Sequence, residues 1–141
     1  MRSRSIALKA VLAVAAVLLS GCPCGEEVPG ELRPFSGRFG YFVAGPWGFE
    51  GALTKENLGD PEWTLEGTFQ FPSSGYTVLA PEVQVAESYP EQVLIRIRVL
   101  TPSPGQVVLP VITEAPVSFT IPASDRAEFD VWFVPVCLAP D

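Results

Sequence analysis

The chain contains no histidine, a single methionine at position 1 and only two lysines, Lys9 and Lys55. Without an imidazole, a histidine-based triad, a Cys-His pair and the commonest zinc sites are all out of reach. A Ser-Lys arrangement would have to use Lys55, which stands in Leu53-Thr54-Lys55-Glu56-Asn57 and reads as a solvated lysine. No Asp/Asn/Gly spacing has the form of a calcium loop, so no metal and no cofactor is expected. Carboxylates are plentiful, but Asp60, Glu62, Glu66, Glu82, Glu87, Glu91 and Glu128 fall at turns or outward strand positions, where solubility accounts for them. Long apolar runs are missing too. The longest, residues 10–19, follows Lys9 and is half the roughly twenty residues that a spanning helix needs. The expectation is a protein that is not an enzyme.

What is present begins at the N-terminus. Arg2 and Arg4 form a basic start, the apolar run follows, and small residues precede a cysteine in Leu19-Ser20-Gly21-Cys22. This resembles the signal and lipobox of bacterial lipoproteins. The resemblance implies that residues 1–21 are removed, that Cys22 carries the lipid, and that residues 22–31, with Pro23, Pro29, Gly25 and Gly30, form a lipidated tether. One acyl chain binds a bilayer only marginally, whereas two or three hold a protein there stably. The expected location is the cell envelope, on the extracytoplasmic face. Pro23, standing where inner-membrane retention is associated with aspartate, leans toward the outer membrane.

Removing that signal sharpens the charge. All 16 acidic residues lie beyond it, and three of the 9 basic residues leave with it, so the remainder carries 6 − 16 = −10. A domain this acidic is repelled by nucleic acid and by anionic headgroups, and nucleic acid is excluded as a partner. With Cys22 acylated, Cys24 and Cys137 are the remaining cysteines of three. They form a disulfide or stay as two free thiols; an oxidising envelope permits the bond.

The body of the chain, residues 32–141, reads as one all-β domain. Glycine and aromatic residues interleave densely over residues 32–60, which argues against a helix and breaks the segment into short strands and turns, one strand lying around Phe39-Gly40-Tyr41-Phe42-Val43. Residues 54–58 could make one helical turn. Trp63, Leu65, Gly67, Phe69 and Phe71 alternate with polar residues, and Val93, Ile95, Ile97 and Val99 form the cleanest buried row. Residues 76–79, 83–87, 106–112, 117–121 and 129–133 supply further strands, with proline at Pro81 and Pro110 marking edges or a bulge. Six to eight short strands with turns between them predict an antiparallel β-sandwich or a partly open barrel.

Several short motifs carry a further resemblance. Gly67 precedes Pro72-Ser73-Ser74-Gly75-Tyr76, followed by Val78, Val83 to Val85, Pro102-Ser103-Pro104-Gly105 and Thr113-Glu114-Ala115-Pro116. Over about residues 67–121 this resembles the C-terminal domain of the PrcB family, lipoproteins associated with a bacterial surface protease complex. The family usually has a second glycine where this chain has Ser74. The resemblance implies a non-catalytic protein that binds a protein partner, an extracytoplasmic protease being the favoured class, through a turn presenting Ser73, Ser74, Gly75 and Tyr76. The same turn resembles a loop of chagasin-type cysteine-protease inhibitors, whose other motifs are absent here. Read from the residues alone, Gly75 is equally a hairpin glycine and Tyr76 a core tyrosine. A glycan-binding or purely structural envelope lipoprotein is the alternative. The aromatic group from Phe35 to Phe49 is either core or an exposed platform.

Overall fold

A computed structural model of the chain describes residues 26–36, 39–103 and 105–137. The signal and lipobox with Cys22, and also Cys24, lie outside these residues. Ten strands form two sheets that pack face to face, and no helix occurs among the described residues. One sheet contains β1 (Val28–Pro29), β10 (Glu128–Val136), β8 (Gln92–Leu100), and along the far side of β8 both β6 (Thr77–Val78) and β7 (Glu82–Ala86). The other runs β2 (Glu31–Pro34), β3 (Gly40–Ala44), β4 (Glu50–Thr54), β5 (Glu62–Phe71) and β9 (Thr113–Pro122). The sandwich is the expected one, with more strands than the sequence suggests.

Period-two alternation explains the two longest inner rows. Trp63, Leu65, Phe69 and Phe71 of β5 and Val93, Ile95, Ile97 and Val99 of β8 are all buried, while their neighbours point outward. Val131 and Phe133 of β10, Ile121 of β9, Val43, Leu53, Phe49, Ala123 and Ala127 join them in the core. Burying a side chain of this size stabilises by about 1.5–3 kcal/mol relative to leaving it in water.

Gly67 breaks the inner row of β5 for a physical reason. It pairs with Gly51 across β4 and β5, and the Phe49 ring lies in the notch that the two glycines leave. A β-carbon at Gly67 would come within 2.4 Å of Phe49 Cζ.

All strand pairs are antiparallel except one. β8 and β10 run parallel over their whole length, Gln92 facing Glu128 and Leu100 facing Val136. Parallel neighbours need a crossover, and β9 supplies it by crossing to the other sheet between them. On the other side of β8, Thr77 faces Leu100 and Glu82 faces Arg96. The edge therefore advances one residue more than β8 does. That extra residue is a bulge at Ala80-Pro81, where proline has no N–H to give to a ladder.

The short strands expected over residues 32–60 are β2, β3 and β4, and the strand read around Phe39 to Val43 is β3. Three sequence expectations are corrected. Pairing starts inside the stretch read as tether, since β1 sits on β10. Residues 54–58 are the end of β4 and a bend, with no helical turn. Finally, residues 106–112 are no strand: no sheet neighbour lies beside them, and β9 begins only at Thr113.

Candidate functional site

The two ends of the sandwich differ in chemistry. At one end lie the loops of residues 55–61, 87–91 and 123–127, which carry the charge. At the other lie residues 45–49, 72–76 and 106–112, which carry none.

The charged end is organised by Lys55. Its side chain is 1% exposed, and its ammonium donates to Asp125 Oδ1 at 2.5 Å, to the Ala123 carbonyl at 3.5 Å and to the Asp60 carbonyl. The ammonium also sits 5.4 Å from the centre of the Trp63 ring, whose indole N–H donates to the Ser124 carbonyl at 3.0 Å. Lys55 is thus a buried cross-link between two loops, not the solvated lysine that its neighbours suggest. Its three N–H groups face three acceptors. Asp125 is further held by the Gly59 N–H, 2.9 and 3.0 Å from its two carboxylate oxygens. The hydrogen bond from Lys55, then that from Gly59, lower the Asp125 carboxyl below its ordinary pKa of 3.8.

The third loop is braced onto the same group. Glu91 accepts from the Ser124 N–H at 3.0 Å, its carbonyl accepts from the Glu128 N–H at 2.8 Å, and Arg126 donates to the Tyr89 hydroxyl at 2.6 Å. The result is a stiff platform with exposed tips. Tyr89 is 84% exposed, and Leu58 and Phe39 also face solvent. An open groove runs between Phe39, Tyr41 and Trp63 on one side and Arg126 and Glu128 on the other. Glu56, Glu62, Glu87 and Glu128 are exposed around it, with Asp60 and Glu91 half exposed. Arg126 is the one exposed base among these three loops.

The uncharged end contains the turn expected to meet a partner. Ser74 donates its N–H to the Leu109 carbonyl at 3.0 Å, and its hydroxyl accepts from the Leu109 N–H at 2.8 Å. Ser73 donates to the Ser74 carbonyl at 3.0 Å. Gly75 has φ of 94°, the left-handed conformation that favours glycine, and a β-carbon there would meet Val108 at 2.9 Å. Tyr76 stacks on Phe71, with ring centres 4.5 Å apart and planes within 4°, and lies edge-on to Trp47 at 6.2 Å. The four residues are brought together, but the strap of residues 106–112 is docked against the turn. The strap, and not the turn alone, forms the outer surface there.

The aromatic group is divided. Phe49 is core, Trp47 is half-buried against Phe69, Phe71 and Tyr76, and Phe39 and Phe42 are exposed. Trp47 and Gly48 take φ of 55° and 60° in a tight turn closed by the Phe49 N–H on the Pro46 carbonyl at 3.2 Å. A primed turn of this kind suits the twist of a hairpin, and tryptophan is an unusual residue to hold in that conformation. Its tilted and edge-on ring contacts with Phe71 and Tyr76 hold it there.

Cys137 is disulfide-bonded, and its sulfur lies 3.2 Å from the Thr101 hydroxyl. Cys24, the one partner that the sequence leaves when Cys22 is acylated, lies outside the described residues. Among the described residues no group of three or more His, Cys, Asp or Glu side chains could hold a metal ion, and no helix is long and apolar enough to cross a membrane. No protein-family model, curated protein or solved structure matches this chain.

Proposed function

We propose that this is a non-catalytic, lipid-anchored lipoprotein of the bacterial cell envelope that holds a protein partner at the membrane through its charged loop end. The observation that carries the reading is that end itself. Three loops are locked together by the Lys55–Asp125 pair and by Glu91, so their tips meet a partner with little ordering cost. The tips Tyr89 and Leu58, with Phe39 beside them just before β3, are large side chains left in water among acidic residues. An exposed aromatic beside Arg126 is the composition of a binding hot spot. The surrounding carboxylates select a partner with a basic face.

An extracytoplasmic protease is the partner class, on the resemblance of residues 67–121 to the PrcB family. Anchoring by Cys22 replaces free diffusion by a high local concentration at the surface. The test is a photo-crosslinking amino acid at position 89 in the full-length, membrane-bound protein in cells, with Thr68 on the outer sheet face as the control position. A protease crosslinked from position 89, and lost with Arg126→Glu, supports the reading. Crosslinks only to peptidoglycan or glycan, or equal yields from both positions, would move the protein to a ligand-binding or structural role.

A further inference from the structure

We propose that the uncharged end of the sandwich sits on the lipid bilayer, with residues 107–112 inserted at the headgroup boundary, so that the charged end points away from the membrane. This rests on the lipoprotein reading and adds an orientation to it. The first observation is the strap itself. Val107 is 94% exposed, Leu109 66% and Ile112 71%, with Val111 beside them. They stand in Gln106-Val107-Val108-Leu109-Pro110-Val111-Ile112, seven residues without a charge. The strap is held in place by the two Ser74–Leu109 hydrogen bonds and by the Gln106 N–H on the Ser103 carbonyl at 2.9 Å. Its apolar side chains are therefore displayed by a fixed backbone.

The second observation is the position of the anchor. Val28 faces Phe133 and Pro29 faces Trp132, antiparallel. Followed backwards from Val28, the chain thus runs toward Val136 and Cys137, at the same end as the strap. Glu26 is four residues from Cys22, a reach of at most about 14 Å for extended chain. Cys137, which is disulfide-bonded, follows β10 at this same end. A Cys24–Cys137 bond would then tie the last strand to a point two residues from the lipid, which limits how far the domain can swing.

The third observation is charge. Residues 45–49, 72–76 and 106–112, which build this end, contain no acid or base. The nearest acids, Glu26, Glu27, Glu31, Glu50 and Glu114, stand beside them, and the exposed Glu56, Glu62, Glu87 and Glu128 are at the far end. Anionic headgroups repel acid, and this orientation turns the uncharged strap to the bilayer and keeps the acids of the far end at a distance. Trp47 and Tyr76, at the same end, are the residue types favoured at a membrane interface.

The test uses the full-length, acylated protein in vesicles of phosphatidylethanolamine and phosphatidylglycerol with brominated acyl chains, which quench tryptophan on contact. Leu109→Trp and Tyr89→Trp are compared, each as emission added to wild type, with Val107→Trp as a second reporter of the strap. The expected result is that at least half of the emission added at 109 and 107 is quenched and that added at 89 is untouched. Vesicle-bound, acylated protein with no quenching at 109 or 107, or with quenching at 89 instead, overturns the orientation and leaves the anchor standing. An unquenched strap in a protein that sediments as a dimer gives the face to a second copy and overturns it equally. A mass showing no acyl group on Cys22 overturns the lipoprotein reading itself.

Discussion

Replacing Gly67 by alanine tests the packing of the core with a single methyl group. The new β-carbon would stand 2.4 and 2.7 Å from Cζ and Cε2 of Phe49 and 2.8 Å from the Glu50 carbonyl oxygen. The ring has nowhere to retreat: its centre is 4.5 Å from that of Phe69 and 5.2 Å from that of Phe133. The carbonyl belongs to the β4 ladder and moves only with the strand. Overpacking of this kind costs about 1–3 kcal/mol. The loss of unfolded-chain freedom on going from glycine to alanine returns roughly 0.4–1 kcal/mol. The net loss is about 1–2 kcal/mol, or several degrees in Tm for a domain of this size. Urea unfolding of Gly67→Ala, Phe49→Leu and the double variant reads it directly. Removing the ring relieves the clash, so the double variant is expected to be more stable than the sum of the single losses by about 1 kcal/mol. A Gly67→Ala protein as stable as wild type, or a strictly additive cycle, would refute the notch.

The other predictions concern the loop clasp, the turns and the disulfide. Lys55→Met leaves the Asp60 and Ala123 carbonyls without their donor, at about 1–3 kcal/mol for each one that stays dry; urea unfolding should show a larger loss than for Asp125→Asn. Because the folded pKa of Asp125 lies below 3.8, its contribution is present above that value and fades as pH falls through the lower folded pKa. Between pH 5 and pH 3, wild type should therefore lose more stability than Asp125→Asn, and equal losses would contradict the pairing. Trp47→Asn suits the positive φ better but gives up the ring contacts with Phe71 and Tyr76; the expected net effect is a loss of about 1–2 kcal/mol, read by thermal unfolding, and a gain in stability would mean that the ring contributes little. A non-reduced digest should yield a peptide joining Cys24 to Cys137, and reduction should lower Tm; a peptide joining Cys22 to Cys137 would contradict both the pairing and the lipid.

How much of this was legible in the sequence follows from how local each cause is. The inner rows of β5 and β8 were readable because period two is written into Trp63, Leu65, Phe69, Phe71 and Val93, Ile95, Ile97, Val99. The strap of residues 107–112 shows the same alternation, Val107, Leu109, Val111, yet has no sheet neighbour. Alternation marks what a strand requires and says nothing of whether another layer is there to cover it. Lys55 looked solvated because Glu56 and Asn57 surround it in the chain, whereas the group that buries it, Asp125, is 70 residues away. The parallel pairing of β8 and β10 was hidden for a similar reason, since it depends on β9 joining the opposite sheet. The turn at Ser73 to Tyr76 was located by its glycine, but the strap that covers it could be found only in three dimensions.

Anchoring through Cys22 is the claim on which the proposed function and the orientation both depend. Cells expressing wild type or Cys22→Ala are fed an alkyne-tagged fatty acid, and the purified protein is examined for label and for the mass of its N-terminal peptide. The account predicts label on wild type alone, with residues 1–21 removed and acyl groups on Cys22. Label that survives Cys22→Ala, or an unacylated wild-type protein released from the membrane by salt, would contradict it.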